Sequence, residues 1–453
     1  MESSKQAQGI ALPDTLAQEF SDIIDYVLER TAAAGADQAE ASVGQDVGVS
    51  VSARMRDIET IEYQNDRDMY VTVYRDQCKG SVSTSDFSKQ AIDDAIEKAL
   101  YIATQTGADP ASGLADADRM ATDFPDLNLD HAWSINVDEM RELALATEAA
   151  ALDADKQISN SEGAAVNTNR SFGIYGNSHG FKAGQQKSRH SISCAVIAGS
   201  GDNMERDYEY TSNRNPDLLM DASEVGRRAA QSVLARMSPK KIKTQSAPVL
   251  FRADVARGIF GHLLGAISGG SQYRKASFLL DAVGETLFPD FVSLREAPFI
   301  KGAPASSAFD VEGVATEERD IVKAGVLQSL ILSSYSARRL GLETTGNAGG
   351  VHNALVASTG GDMLSLASEM QEGLLVTEMM GQGVNMVTGD YSRGAAGFWV
   401  ENGEIAYPVS EITIAGNLRE MFLGIQAIGD DVDARGALQC GSVLIDSMTI
   451  AGS

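Results

Sequence analysis

The sequence has little of what marks a secreted or disulfide-bonded protein. Its 453 residues include three widely spaced cysteines, Cys78, Cys194 and Cys440. This number and spacing exclude a disulfide framework and a thiolate zinc cluster. Residues 1–6 lack the apolar core of a signal peptide, and no run of ~18 apolar residues could cross a bilayer. We therefore expect a cytoplasmic protein that has no membrane partner.

Positive charge is also scarce. Lys and Arg total 37 against 63 Asp and Glu, which gives a formal net charge of −26. A surface this acidic repels phosphate, so we expect no nucleic-acid partner. Hydrophobic residues make up 43% of the chain, which is enough for a sizeable core.

The common catalytic patterns are missing as well. No two of the five histidines stand one helical turn apart beside a glutamate, and Gly-Lys-Ser/Thr does not occur. His262 lies on a predicted helix and is interpreted as a packed or solvent-edge side chain. His190 and Cys194 are four residues apart, but on a predicted strand they lie ~13 Å apart. Residue patterns alone therefore reveal no assembled catalytic site.

Glycine divides the chain into two parts. Residues 1–240 hold 15 of the 43 glycines, and residues 241–453 hold 28. Because glycine favours turns and weakens helices, the second part should consist of short strands and loops. We predict an α+β fold: an N-terminal mixed α/β region over 14–240, then a C-terminal β-barrel-like or β-sandwich domain over 241–453.

Apolar periodicity predicts the elements of the first part. A helix, several strands and a second helix follow one another over 16–103, and again over 137–237, which suggests a duplicated unit. The second copy is expected to contain short strands near 157–166 and 190–198. In the second part, Asn402-Gly403 between two apolar runs predicts a type I′ hairpin.

A few basic residues stand beside glycines in the second part. Arg274 and Lys275 follow Gly269-Gly270-Ser271, and Arg393 lies within the run 389–394. Cations on such turns could reach a substrate carboxylate or backbone. Ordinary exposed surface charge explains them equally well.

Several long segments resemble the TldD/PmbA family and, within it, the PmbA (TldE) branch. Residues 36–40 and the strands after them carry a looser likeness. The main matches include Thr344-Thr345-Gly346-Asn347-Ala348-Gly349-Gly350 and lie at 310–316, 319–327, 332–340, 344–350, 389–403, 416–418 and 442–445.

The resemblance implies a function as well as a fold. In this family an N-terminal α/β region precedes a barrel-like domain, and TldD and TldE subunits pair. The pair resembles a cytoplasmic peptidase that trims unfolded peptides, including microcin precursors. We therefore expect a TldD-like zinc subunit as partner and an unfolded peptide as substrate.

The same resemblance implies that this chain lacks the zinc site. The TldD branch carries His-Glu-x-x-x-His on the first helix of its C-terminal domain, with a cysteine near the chain end as a further ligand. Alignment through Arg274-Lys275 places the ligand and base positions on Gly261, His262 and Ala266. Cys440 lies too close to the matching segment 442–445 to be the ligand cysteine. We expect no catalytic or metal-binding residue here, and zinc in the partner.

The leading hypothesis is thus a PmbA/TldE-like subunit that completes the substrate chamber and forms a homodimer when isolated. Two alternatives remain: a peptidase that acts alone at an unrecognised site, and a non-enzymatic peptide-binding or regulatory protein. The candidate cleft or interface residues are Arg274, Lys275, His352, Asn353 and Arg393.

Overall fold

The computed structural model describes residues 15–452, which form two compact units. The first unit extends to Leu234 and also includes Lys301–Ala303 and Ala308–Thr316; the remainder from Ala235 onward forms the second. The whole of the family-like segment 310–316 therefore belongs to the first unit, although it lies in the second half of the sequence. No helix within the described range has the length and apolarity needed to cross a membrane.

The first unit contains a six-stranded antiparallel sheet in the order β3-β2-β1-β4-β5-β6. Along the chain, a helix, three strands and a helix occur twice, and the two sets of strands meet where β1 pairs with β4. The elements are α1 Leu16–Ala33, β1 Gln38–Arg54, β2 Asp57–Arg75, β3 Cys78–Thr84, α2 Lys89–Gln105, α3 Val137–Leu152, β4 Ile158–Asn177, β5 Lys182–Ala198, β6 Glu205–Asn213 and α4 Ala222–Ala235.

The core of this unit lies on one face of the sheet. Alternate residues of β1 are buried because Ala39, Ala41 and Val43 pack in one cluster with α1 and α2. The strands expected near 157–166 and 190–198 are longer than predicted, since β4 and β5 comprise 20 and 17 residues. Strand β4 continues through the polar stretch 167–170, because these residues pair with β1 on one side and with β5 on the other.

The second unit is built around a closed sheet. Strands β14-β13-β12-β7-β17 pair in sequence, and β14 pairs again with β17, so the ring is complete; β15 is attached to β17. Another sheet has the order β10-β9-β8-β11-β16. The elements are β7 Gln245–Phe251, α5 Ala253–Ala266, α6 Gly269–Tyr273, β8 Leu294–Glu296, β9 Arg319–Lys323, β10 Val326–Leu327, α7 Ser334–Leu340, β11 Ala354–Val356, α8 Met363–Met370, β12 Gly373–Met380, β13 Asp390–Glu401, β14 Glu404–Asn417, α9 Leu418–Leu423, β15 Ile425–Ile428, β16 Leu438–Gln439 and β17 Val443–Ala451.

This architecture confirms the predicted α+β class with a barrel-like C-terminal domain. A large apolar cluster in this unit includes the buried rings of Phe251, Phe260, Phe288 and Phe422. The predicted hairpin is present between β13 and β14. Asn402 and Gly403 have φ values of 52° and 79°, as a type I′ turn requires.

Candidate functional site

Helix α5 has an apolar face and an opposite side that is rich in glycine. Ala256, Ile259, Phe260, Leu263 and Ala266 are buried in the core of the second unit. The other face bears the glycines at 258, 261 and 265. A Cβ added at 258 or 261 would meet no atom within 4 Å. The helix therefore presents open backbone at the position where the family resemblance places zinc ligands in the TldD branch.

His262 is held beside the strand β13. Its ring meets the ring of Tyr391 edge to face at 5.9 Å between centroids, and its Nε2 atom is buried with no hydrogen-bond partner. Burial lowers the pKa of His262, and the nearby Arg393 guanidinium lowers it further. The imidazole is accordingly neutral at physiological pH, because a cationic ring would be both desolvated and repelled.

Arg393 and Tyr391 lie two residues apart on β13. Arg393 donates a hydrogen bond from Nε to the carbonyl oxygen of Gly381 at 3.1 Å, which fixes the guanidinium against the turn after β12. Tyr391 is 3% exposed, and burial raises the pKa of its hydroxyl to about 12. The predicted site residue Arg393 thus lies next to His262.

Cys440 is buried and unactivated. Its thiol contacts the carbonyl oxygen of Ala253 at 3.9 Å, and burial together with Asp433 raises its pKa to about 12. A protonated thiol is a poor nucleophile and a poor metal ligand. Asp433 itself is paired with Arg435 at 2.8 Å and with Arg257 at 3.6 Å.

Unlike His262, His190 has hydrogen-bond partners within the protein for both of its ring nitrogens. Its Nδ1 lies 2.9 Å from the hydroxyl of Thr168, and its Nε2 lies 2.8 Å from the carbonyl oxygen of His131. Among residues 15–452, no three His, Cys, Asp or Glu side chains come together in a way that could hold a metal ion.

A buried carboxylate that the sequence analysis missed lies on β8. Glu296 is 1% exposed and receives hydrogen bonds from Arg319 at 2.6 Å, from the amide of Asn347 at 2.7 Å and from the backbone N–H of His352 at 2.6 Å. Arg319 also donates to the carbonyl oxygen of Thr345 at 2.8 Å. One acidic side chain therefore ties the family-like loop 344–350 to the sheet.

The predicted residues His352 and Asn353 lie at this network. Burial lowers the pKa of His352, although Glu296 partly offsets the effect. Asn353 is fully buried with φ 49°, donates to Ser306 at 2.7 Å and accepts from the N–H of Ala305 at 2.9 Å. These contacts hold two chain segments together. Because both the oxygen and the nitrogen of the Asn353 amide are already hydrogen-bonded, little capacity to bind a ligand remains.

Arg274 and Lys275 are exposed at the end of the short helix α6. The Arg274 guanidinium lies over the ring of Tyr273 at 5.3 Å and donates to its hydroxyl at 3.2 Å. Lys275 adopts a left-handed conformation with φ 54°. Both cations are accessible and could bind an anionic group.

The sequence could not have indicated Glu296 and Arg319 as a pair. They are 23 residues apart and belong to short strands with ordinary composition. Tyr391 and His262 are separated by more than a hundred residues, so only the folded sheet brings them together. Arg393, by contrast, was a candidate from the sequence alone, because its glycine neighbours are a local feature.

Comparison with known proteins gives a consistent result over nearly the whole chain. Models of the PmbA/TldA metallopeptidase C-terminal domain, central domain and domain 1 match residues 244–452, 130–237 and 39–103. The metalloprotease PmbA homolog of Haemophilus influenzae is 50% identical over 445 residues, which is 98% of each chain. The metalloprotease PmbA of Escherichia coli O157:H7 is 50% identical over 416 residues, or 92% of each chain.

A solved structure shows the same fold. The protein is from Bacteroides thetaiotaomicron and is described as a candidate modulator of DNA gyrase. It superimposes with a TM-score of 0.92 at 25% identity, covering 96% of this chain and 99% of its own.

Proposed function

The chain belongs to the PmbA/TldD metallopeptidase family, and on that premise we propose that it is the zinc-free subunit of a heteromeric cytoplasmic peptidase. A TldD-like partner subunit would supply the zinc, the metal-activated water and the general base. This chain would complete the chamber and hold an unfolded peptide, such as a microcin-like precursor, in extended form.

The residues around α5 carry the proposal. Gly261 and Ala266 offer no ligand atoms, and the one imidazole available, His262, lies beside the cationic Arg393. A cation next to a single nitrogen disfavours a divalent ion, and a zinc site needs three or four ligands. The protonated thiol of Cys440 does not supply another. These residues do not fit a zinc ion, so no step of the reaction is assigned to them.

Arg274, Lys275 and Arg393 are the candidate substrate or interface contacts on this chain. The first two are exposed cations, and the third is fixed by the Gly381 carbonyl. Such groups suit a peptide carboxylate or acidic side chains of the partner. His352 and Asn353 would act indirectly, by holding the loop 344–350 and the segment near Ala305 in place.

Metal analysis and peptide turnover test this proposal together. The chain alone, a TldD-like subunit alone and the co-expressed pair would each be analysed for zinc by mass spectrometry. Each would also be assayed on an unfolded peptide, with and without a chelator. We expect stoichiometric zinc and chelator-sensitive turnover in the pair, and neither in the isolated chain.

Other results would support the alternatives. Turnover by the isolated chain that survives chelation would identify a separate active site in this protein. If no His-Glu-x-x-x-His subunit co-purifies with the chain from cells in near-equal amount, a binding or regulatory role without a protease partner becomes the better explanation.

A further inference from the structure

One edge of the first unit's sheet is left open over most of a long strand. Strand β3 pairs with β2 only from Met69 to Arg75, whereas β1 pairs with β2 along its whole length. Within residues 15–452, nothing pairs with the outer edge of the stretch 57–68. Every residue from Glu59 to Asp66 is exposed. Unpaired N–H and C=O groups on such an edge can accept an additional strand.

The two faces of this open stretch differ in character. Ile61 and Tyr63 lie opposite Val51 and Val49 of β1, but the valines are buried while Ile61 is 38% and Tyr63 70% exposed. The apolar packing that buries these valines of β1 therefore does not extend to Ile61 and Tyr63 of β2. A strand added outside β2 could place apolar side chains beside Ile61 and Tyr63.

The opposite face is acidic and lacks counter-charges. Glu62, Asp66 and Asp68 alternate along β2, and Asp46 of β1 lies directly across from Asp66. None of these four carboxylates forms an ion pair with another residue of the described range. Burial, Asp68 and Asp66 together raise the pKa of Asp46, which is the sign of an uncompensated negative field. The single cation of the stretch, Arg67, is engaged by Glu19 and the ring of Phe87.

We propose that the open edge of β2 at 57–68 binds an extended basic segment of the substrate peptide by strand addition. The stretch carries five acidic residues and one basic residue, so an added strand meets a net charge of −4. A second copy of this chain would bring the same charge to the same edge and be repelled. Acidic side chains on an edge exclude most strands and select one of opposite charge.

The side-chain alternation also specifies the bound sequence. Successive residues of a strand point to opposite faces. The favoured segment alternates basic residues, facing Glu62 and Asp66, with apolar residues, facing Ile61 and Tyr63. The inference rests on the proposed function for the identity of the ligand, and it places a substrate contact far from α5 in sequence.

Fluorescence anisotropy with the isolated full-length chain tests the inference without relying on turnover. The probe is a labelled peptide of about ten residues that alternates Lys and Val, a length that spans most of the open edge. The matched peptide alternates Glu and Val. A third peptide has the Lys-Val sequence with alternate backbone nitrogens methylated, which removes the strand hydrogen bonds and keeps the charges. We expect at least about tenfold weaker binding of both comparison peptides.

A pair of double variants separates this edge from general acidity. Glu62→Gln with Asp66→Asn should weaken Lys-Val binding about tenfold and reduce its salt dependence. Glu97→Gln with Glu142→Gln removes the same charge from exposed positions on α2 and α3 and should leave binding unchanged. Circular dichroism would verify that both proteins are folded, since all four positions are exposed.

Several results would overturn the inference. These are equal binding of the methylated peptide, equal loss in the two double variants, or a homodimer that blocks peptide binding at this edge. Zinc content and turnover are measured separately from peptide binding. Absence of peptide binding at the edge of β2 would therefore leave the zinc-free subunit proposal intact. Specific binding would equally survive a finding that the isolated chain is itself a peptidase.

Discussion

At the scale of single residues, the second unit keeps its most constrained polar groups inside. Glu296 satisfies three donors from two separate segments, and its partner Arg319 is itself largely buried. Removing one member of such a buried pair typically costs about 3–5 kcal/mol, because the other charge is left desolvated. Two of the residues that the sequence singled out, Arg274 and Lys275, are by contrast exposed.

The neutral state of His262 predicts a specific pH dependence of stability. Its folded pKa lies below the value of about 6.5 expected in the unfolded chain. As pH falls below about 6.5, the unfolded chain binds a proton that the folded chain does not, so stability decreases until the folded pKa is passed. His190 and His352 have lowered pKa values as well and contribute in the same direction.

His262→Leu should therefore reduce the loss of stability on acidification without abolishing it. The measurement is the urea midpoint of the native protein and the variant at about pH 7.5 and about pH 5, on either side of the unfolded-state value. The variant should lose less stability between the two pH values. Only His190 and His352 then remain as histidines whose pKa is lower in the folded chain than in the unfolded chain. An identical loss in both proteins would show that His262 is protonated equally in the folded and unfolded chains.

At the scale of elements, the features that sequence predicts well are those whose determinants are local. The helix predicted at the start of 137–237 is α3, capped by Asn136 and Glu139, and the Asn402-Gly403 turn is determined by two residues. The lengths of β4 and β5 depend instead on neighbouring strands that pair along their whole polar stretches. The closure of β14 on β17 requires strands far apart in sequence and has no local pattern.

Alanine substitutions at two helix glycines should change the stability of the protein in opposite directions. A Cβ at Gly226 of α4 would lie 2.0 Å from the carbonyl oxygen of Thr147 in α3. Gly226→Ala must push the helices apart and should destabilise the protein by about 1–3 kcal/mol. Gly258→Ala on the open face of α5 should instead stabilise it by about 0.5–1 kcal/mol, because alanine is the better helix former.

Urea unfolding of the two glycine variants beside the native protein measures both effects. A shift of the midpoint in the same direction for both would contradict the argument. In particular, destabilisation by Gly258→Ala would mean that the glycine face of α5 is covered within the isolated chain.

At the scale of the whole molecule, net charge and exposed apolar surface have opposite effects on association. The charge of −26 causes two copies to repel each other. Apolar side chains nevertheless remain exposed on the second unit, among them Val387 at 57%, Leu364 at 57% and Leu423 at 54%. The proposed partner subunit would cover such surface, and a second copy could take its place in the isolated chain.

Self-association of the isolated chain should consequently strengthen with salt. The screening length falls from about 30 Å at 0.01 M to about 8 Å at 0.15 M salt, so repulsion weakens while apolar burial remains. Sedimentation velocity at micromolar protein should show more homodimer at the higher salt, and an added TldD-like subunit should replace it with a one-to-one complex. Monomer alone at both salt concentrations would contradict the prediction. A homodimer that dissociates as salt rises would indicate that complementary charges, rather than apolar surface, hold the copies together.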